Sequence, residues 1–235
     1  MQPVTTFTLF QYDRWPSRWW AFKQMGLFDG TAGDAPGLTF ARMVGSGAGN
    51  GFSILPNLSR YGLMACWEDR AAAEAFFEES AYYRDLRRHS AAQCTVYLQP
   101  TTAHGEWEGQ QPFVLQGSFD KSEPVAVLTR ATIHARHLAS FWRHVPSVSR
   151  RAHMEGAHFS VGIGELPLIQ QATFSLWDSA HTMMAYAYKS QYHSKVVRLT
   201  REKGWYKEEL FARFKPIGLV GDAAAFGIEA GVIGL

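Results

Sequence analysis

Trp67-Glu-Asp-Arg-Ala-Ala-Ala-Glu-Ala-Phe-Phe-Glu-Glu-Ser-Ala-Tyr82 and Trp177-Asp-Ser-Ala-His-Thr-Met-Met-Ala-Tyr-Ala-Tyr-Lys-Ser-Gln-Tyr192 read as two versions of one segment. Trp67/Trp177, Ala75/Ala185, Ser80/Ser190 and Tyr82/Tyr192 match at a constant offset of 110 residues without a gap. Upstream, Leu9/Leu128, Phe22/Phe141, Gly37/Gly156 and Phe40/Phe159 match at an offset of 119. The difference of nine residues places one insertion in the first copy, around Gly45-Ser-Gly-Ala-Gly-Asn-Gly51. Self-similarity at a fixed offset is the signature of a chain built from repeated units. Function is then to be sought where the copies differ.

Working outward, each copy reads strand, helix, strand, strand, helix, strand. In the first half the segments are Thr6 to Tyr12, Arg18 to Met25, Leu38 to Val44, Arg60 to Trp67, Asp69 to Arg88 and Gln93 to Gln99. The second half runs through Pro124 to Ile133, Ala135 to His144, His158 to Gly164, Gln171 to Trp177, a long helix, and Glu209 to Gly218. Strand segments are rich in β-branched and aromatic residues, and Asp178 or Ser179 is a good N-cap for the helix after Trp177. This order is the ferredoxin-like βαββαβ unit. The expected fold is therefore α+β: a tandem duplication of that unit, with the two sheets joined into a barrel of the dimeric α/β type. Residues 1–123 form the first half with its linker, Pro100 to Glu123. Residues 124–235 form the second half with an apolar, Gly-rich tail from Ala223 expected to be a semi-ordered terminus.

Composition excludes several functions. A net charge of +2 is too small to argue for a nucleic-acid partner. Cys66 and Cys94 are too few for a disulfide framework or a thiolate metal cage, which fits a reduced, cytoplasmic chain. No secretory signal and no bilayer-spanning run is present, so membrane contact would be peripheral, and the tail offers its apolar face to a membrane surface or to a second copy of the chain. The four alternate glycines at 45, 47, 49 and 51 lack the Lys-Ser/Thr that a phosphate cradle needs. Aromatic residues make up 14% of the chain, which serves either a dense core or a large apolar ligand.

The copies differ most usefully on the helix after Trp177. Met183, Tyr186, Ser190, His193 and Val197 fall at spacings of three and four and share one face. The matching face of the first copy is Ala73, Phe76, Ser80, Tyr83 and Arg87, so His193 stands where the first copy has a tyrosine. Two readings stay open at this point: a core histidine bonded to a carbonyl, or a neutral imidazole presented from a rigid helix into an apolar cavity. Imidazole is well suited to carry a haem iron. Lys195, Arg198, Arg201 and Lys203 follow on the same segment, where they would suit either a carboxylate-bearing rim or a helix C-terminus.

Four motifs carry a resemblance. Phe141-Trp-Arg-His-Val-Pro146, Phe159-Ser-Val-Gly-Ile-Gly-Glu165, Gln171-Ala-Thr-Phe-Ser-Leu-Trp177 and Gly204-Trp-Tyr-Lys-Glu-Glu-Leu-Phe-Ala-Arg-Phe214 together resemble the spheroidene monooxygenase family of carotenoid biosynthesis. The resemblance covers residues 124–215 well and the first half in outline. It implies haem b, O₂ and an electron donor such as a ferredoxin, with an acyclic carotenoid or another lipophilic molecule oxygenated to a ketone by successive hydroxylation. It is also similar to the haem-binding dimeric α/β barrel proteins, whose axial histidine comes from a helix of the C-terminal half; that position falls on His193. Arg198, Trp177, Trp205 and Met183 are then expected around the cofactor, and Glu165 and Gln171 on the catalytic side. The alternatives are a peroxidase- or dehydratase-type haem enzyme and a non-catalytic haem- or lipid-binding barrel, alone or as a homo-oligomer.

Overall fold

The structure is a computed structural model that describes residues 2–32, 34–48, 56–118, 120–149, 157–166, 168–189, 199–200, 202–229 and 231. Its first half runs β1 (Val4–Gln11), α1 (Trp15–Leu27), β2 (Leu38–Gly47), β3 (Pro56–Trp67), α2 (Arg70–Glu79), α3 (Ala81–His89) and β4 (Ala92–Gly105). The second runs β5 (Val125–Ile133), α4 (Leu138–Ser149), β6 (Ala157–Gly164), β7 (Gln170–Trp177), α5 (Ala180–Lys189) and β8 (Tyr206–Gly221). All eight strands pair antiparallel in one closed barrel, in the order β1-β3-β2-β6-β7-β5-β8-β4. Each half thus contributes the same arrangement, β4-β1-β3-β2 and β8-β5-β7-β6, and two seams, β2–β6 and β4–β8, close the ring. Closure removes the free edges that an open sheet must protect.

Register makes the likeness between halves quantitative. Ala41 faces Ala65 and Met43 faces Leu63 on β2 and β3; Ser160 faces Ser175 and Gly162 faces Thr173 on β6 and β7. Those pairs stand at the offsets of 119 and 110, and an irregularity falls between Leu38 and Phe40 in one half and between Ala157 and Phe159 in the other. The first strand departs from expectation. Val4 faces Trp67 while Val125 faces Trp177, an offset of 121, so Phe7 and not Leu9 takes the place of Leu128, and Leu9 corresponds to Arg130.

Alternation along the strands sorts two sets of side chains. One set, including Phe7, Met64, Val96, Leu128, Phe159, Phe174 and Phe214, fills the barrel interior from both halves. Two segments expected to be peripheral also enter it. Trp107 and Phe113, from the supposed linker, are buried there, and β4 itself continues through Pro100 to Gly105. Phe226 and Ile228, from the supposed semi-ordered tail, are buried in the same cluster, with Arg60 over the Phe226 ring. A barrel lumen needs apolar side chains to fill it, and these residues complete the packing.

The expected helix from Asp69 to Arg88 is broken at Ser80. Asp69 accepts from the Ala72 amide to cap α2, and the Ser80 hydroxyl accepts from the Tyr83 amide to open α3. A serine between two apolar turns satisfies a helix start as well as a helix interior, and here the start wins. Among the described residues, no helix is long and apolar enough to cross a membrane.

Candidate active site

The outer faces of the two half-barrels are built differently. In the first half, outward-facing Phe10, Met43, Tyr61 and Leu63 are buried beneath α1, α2 and α3 in one continuous core with Trp67, Phe76 and Tyr83. By register their counterparts are Ala131, Gly162, Gln171 and Thr173. At these four positions the second half carries the smaller side chain. Among the described residues the second half has two separate apolar clusters, one under α5 around Val125, Val127, Trp177 and Met183, and one around Ile133, Phe141 and Trp205. Between them lies Thr129, exposed although it sits in the middle of a strand flanked on both sides; its counterpart Thr8 is fully buried. Full burial of Phe10, Met43 and Leu63 stabilises the first half by about 1.5–3 kcal/mol each. The second half forgoes that contribution on the same face.

A cavity of about 370 Å³ adjoins this stripped face. Its floor is the β2–β6 seam, where Gly45 faces Gly164, so no side chain projects from either strand at that level. Tyr61 and Gln171 flank the glycines, Phe22 and Met25 of α1 form one wall, and Trp142 of α4 with Leu166 and Leu168 forms the other. Leu168 accepts the Trp142 indole N–H at 3.0 Å, which ties α4 to the β6–β7 connection. The Tyr61 hydroxyl is buried and, among the described residues, has no hydrogen-bond partner. Burial pushes its pKa up to about 12, so it is a neutral phenol. An unpaired buried hydroxyl costs about 1–3 kcal/mol. Tyr61→Phe is therefore expected to leave stability unchanged or to raise it by about 1 kcal/mol in urea unfolding. A loss of that size would instead mean that the hydroxyl holds a bound molecule.

The residues singled out in the sequence divide into groups. Glu165 and Gln171 both line the cavity. Glu165 is already engaged at both oxygens: Oε2 accepts from Arg130 Nε and Nη2 at 3.1 and 2.9 Å, and Oε1 accepts from Trp107 Nε1 at 3.0 Å and lies 3.5 Å from Arg42 Nε. No hydrogen bond of the Gln171 amide falls among the described residues, which makes it, with the Tyr61 hydroxyl, a polar group of the cavity available to a ligand. Trp177 and Met183 pack together under α5, and the Trp177 indole donates to Ser175 Oγ at 2.9 Å. Trp205 lies in the other cluster, edge-on to Phe141. His193 and Arg198 lie outside the described residues. The matching position of the first half, Tyr83, is buried against Phe10, Phe76 and Phe77 and donates to Gln93 Oε1 at 2.8 Å.

Neither thiol is a ligand candidate. Cys66 and Cys94 are buried among the barrel-interior residues, and burial pushes them up to about 12 and about 11, so both stay protonated. Among the described residues no group of three His, Cys, Asp or Glu could hold a bare metal ion. The face at Ala131, Gly162 and Thr173 carries smaller side chains than its first-half counterpart, and the cavity beside it is lined mostly by apolar residues. The seam cavity and the bed of small residues escaped the sequence reading because neither lies within one segment. The signal was present in the pairs Met43/Gly162 and Leu63/Thr173, which stand at the two offsets already identified.

A closed barrel of two four-stranded sheets, with helices outside and an apolar cavity over one seam, defines an α+β barrel protein. The fold agrees with two solved structures: an aldoxime dehydratase, with a TM-score of 0.61 and 13% identity over 91% of this chain and 81% of that one, and an aldoxime dehydratase in complex with butyraldoxime, with a TM-score of 0.59 and 10% identity over 96% and 81%. At such identity the likeness shows the fold alone. No family model matches the chain. In sequence, the spheroidene monooxygenase of Rhodobacter capsulatus is 36% identical over 222 residues, covering 93% of this chain and 92% of the relative. That of Rubrivivax gelatinosus is 35% identical over 211 residues, covering 87% and 79%. The chain belongs to the spheroidene monooxygenase family, and with that membership goes a monooxygenase, an oxidoreductase.

Proposed function

We propose that this chain is a haem-dependent monooxygenase that hydroxylates an acyclic carotenoid or a similar lipophilic molecule, with haem b lying on the outer face of the second half. We read the halves, 1–123 and 124–235, as tandem copies of which the second alone keeps the site. The observation that carries this reading is the loss of bulk at Ala131, Gly162, Gln171 and Thr173, where the first half packs Phe10, Met43, Tyr61 and Leu63. Tyr83 touches Phe10 from α3. His193 holds the matching position in the sequence of the second half, where Ala131 stands in place of Phe10.

Haem held there by His193, with Arg198 at its propionate edge, would supply the O₂-activating chemistry. The chain's own residues do the rest. Phe22, Met25, Trp142 and Leu166 hold an uncharged polyene by contact alone and keep water from the reacting carbon. Gln171 presents an amide that can orient a hydroxyl once it has formed. Glu165, held by Arg130 and Trp107, acts as a fixed wall rather than as a proton carrier unless Arg130 releases it. In each round one oxygen atom enters a C–H bond and the other leaves as water, with two electrons from a donor such as a ferredoxin and two protons from solvent. A second round at the same carbon gives a gem-diol, which loses water to a ketone.

The test is the absorption spectrum of protein produced with haem supply. Wild type is expected to show a strong Soret band, His193→Ala to lose it, and Tyr83→Phe to keep it. A full Soret band in His193→Ala overturns the ligand assignment; none in wild type overturns the haem reading.

A further inference from the structure

Helix α1 is apolar on two sides. Its inner side sets Ala21, Trp20 and Met25 against the first-half core. On its outer side Trp15, Trp19 and Phe22, spaced four and three apart, are 66%, 50% and 47% exposed. Trp19 and Phe22 stack with ring centroids 5.5 Å apart, so the exposed side is an organised aromatic strip. A helix that is apolar all round is ordinarily buried, and a patch of this kind marks a partner. Phe22 also lines the seam cavity, and across the cavity stand Leu166 and Leu168, themselves 52% and 38% exposed on the connection between β6 and β7. The strip and the connection therefore form an apolar rim at the cavity.

We propose that this rim is a membrane-docking face, through which a lipophilic substrate passes from the bilayer into the cavity. Charge selects the partner. From Arg14 to Phe28 the chain carries Arg14, Arg18 and Lys23 and no acidic residue, and Lys23 Nζ sits 5.9 Å from the Trp19 ring. Aromatic side chains with interspersed cations are the composition of a helix that lies in the headgroup region of an anionic membrane. Indole is suited to that layer because its ring is apolar and its N–H can stay wet. The cargo rests on the function proposed above; the docking face does not, because it is read from α1 and the β6–β7 connection.

Co-sedimentation of the full chain with lipid vesicles tests the surface, and needs neither haem nor substrate. Binding is expected to vesicles of phosphatidylcholine mixed with phosphatidylglycerol, weaker to phosphatidylcholine alone, and reduced by salt. Trp15→Ser with Trp19→Ser, and separately Leu166→Ser with Leu168→Ser, should each weaken partitioning about tenfold or more. Leu115→Ser, an exposed apolar residue on another part of the surface, should leave it unchanged. Circular dichroism checks folding, and the two pairs lie on different elements, so one misfolded variant does not remove the test. Bromine-labelled lipid should also quench the wild-type tryptophan fluorescence. The proposal is overturned by absent vesicle binding, by wild-type partitioning in both paired variants, or by a dimer that dissociates in Trp15→Ser/Trp19→Ser, since a second copy would then cover the face.

Discussion

Gly162→Met combined with Thr173→Leu is expected to leave the barrel folded and, on the proposed placement of haem, to empty the second half of it. The pair restores what the first half already uses, because Met43 faces Leu63 across β2 and β3 as Gly162 faces Thr173 across β6 and β7. Both positions point away from the lumen, since their neighbours Val161, Ile163, Phe174 and Ala172 pack into it. The added side chains would occupy the space between the sheet and the helices, where each could bury apolar area worth roughly 1.5–3 kcal/mol. Stability without cofactor should therefore hold or rise, whereas haem per chain should fall about tenfold or more, because a filled site must be emptied before anything else can enter. The comparison needs two readings on the same preparations: the ratio of Soret to protein absorbance, and the midpoint of thermal unfolding after haem removal. Undiminished haem in a folded double variant would mean that the cofactor lies elsewhere. Thr39→Ser, exposed in the first half with its hydroxyl donating to the Cys66 carbonyl, should change neither reading and serves as the control.

That experiment turns on register, which the sequence discloses unevenly. The offsets of 119 and 110 locate β6 on β2 and β7 on β3, because an irregularity at the same place in each pair and the two tryptophans pin the alignment. Leu9/Leu128 misleads by two residues. In a strand every second residue faces the same side, so a slip of two keeps apolar residues pointing inward and leaves no trace in the pattern. Only the pairing shows that Leu9 corresponds to Arg130. Trp107, Phe113, Phe226 and Ile228 were illegible for another reason. They fill the barrel from stretches without period, and periodicity is what a sequence reading detects. The cavity is assembled from α1, α4, the β2–β6 seam and the β6–β7 connection, so no single motif announces it.

The exchange of Leu9 for Arg130 leads to the largest expected loss of stability. Arg130 is buried, with its guanidinium carbon 5.1 Å from the Trp107 ring centroid, two nitrogens on Glu165 and the third on Glu208. Arg42 joins the same cluster through Glu165 and Glu108. Removing the central cation leaves two carboxylates half-buried and facing each other, and breaking such a cluster from one side costs about 3–5 kcal/mol. For a chain of this size Arg130→Met should lower the unfolding midpoint by roughly 6–20 °C. Replacing the partners as well, with Glu165→Gln and Glu208→Gln, should recover most of the loss, since no uncompensated charge then remains. The cluster is also sensitive to acid. Burial alone would raise the Glu208 carboxyl, but the Gly109 amide and Arg130 outweigh it and hold the group below its usual value. Its contribution is complete above the ordinary glutamate pKa of about 4.3 and is lost as pH falls through the lower folded value. Urea unfolding of wild type and Arg130→Met at neutral pH and in acid should accordingly give a difference that narrows toward low pH. A difference of under about 1 kcal/mol at neutral pH would place Arg130 among ordinary surface ion pairs and remove it as the keystone of the lumen.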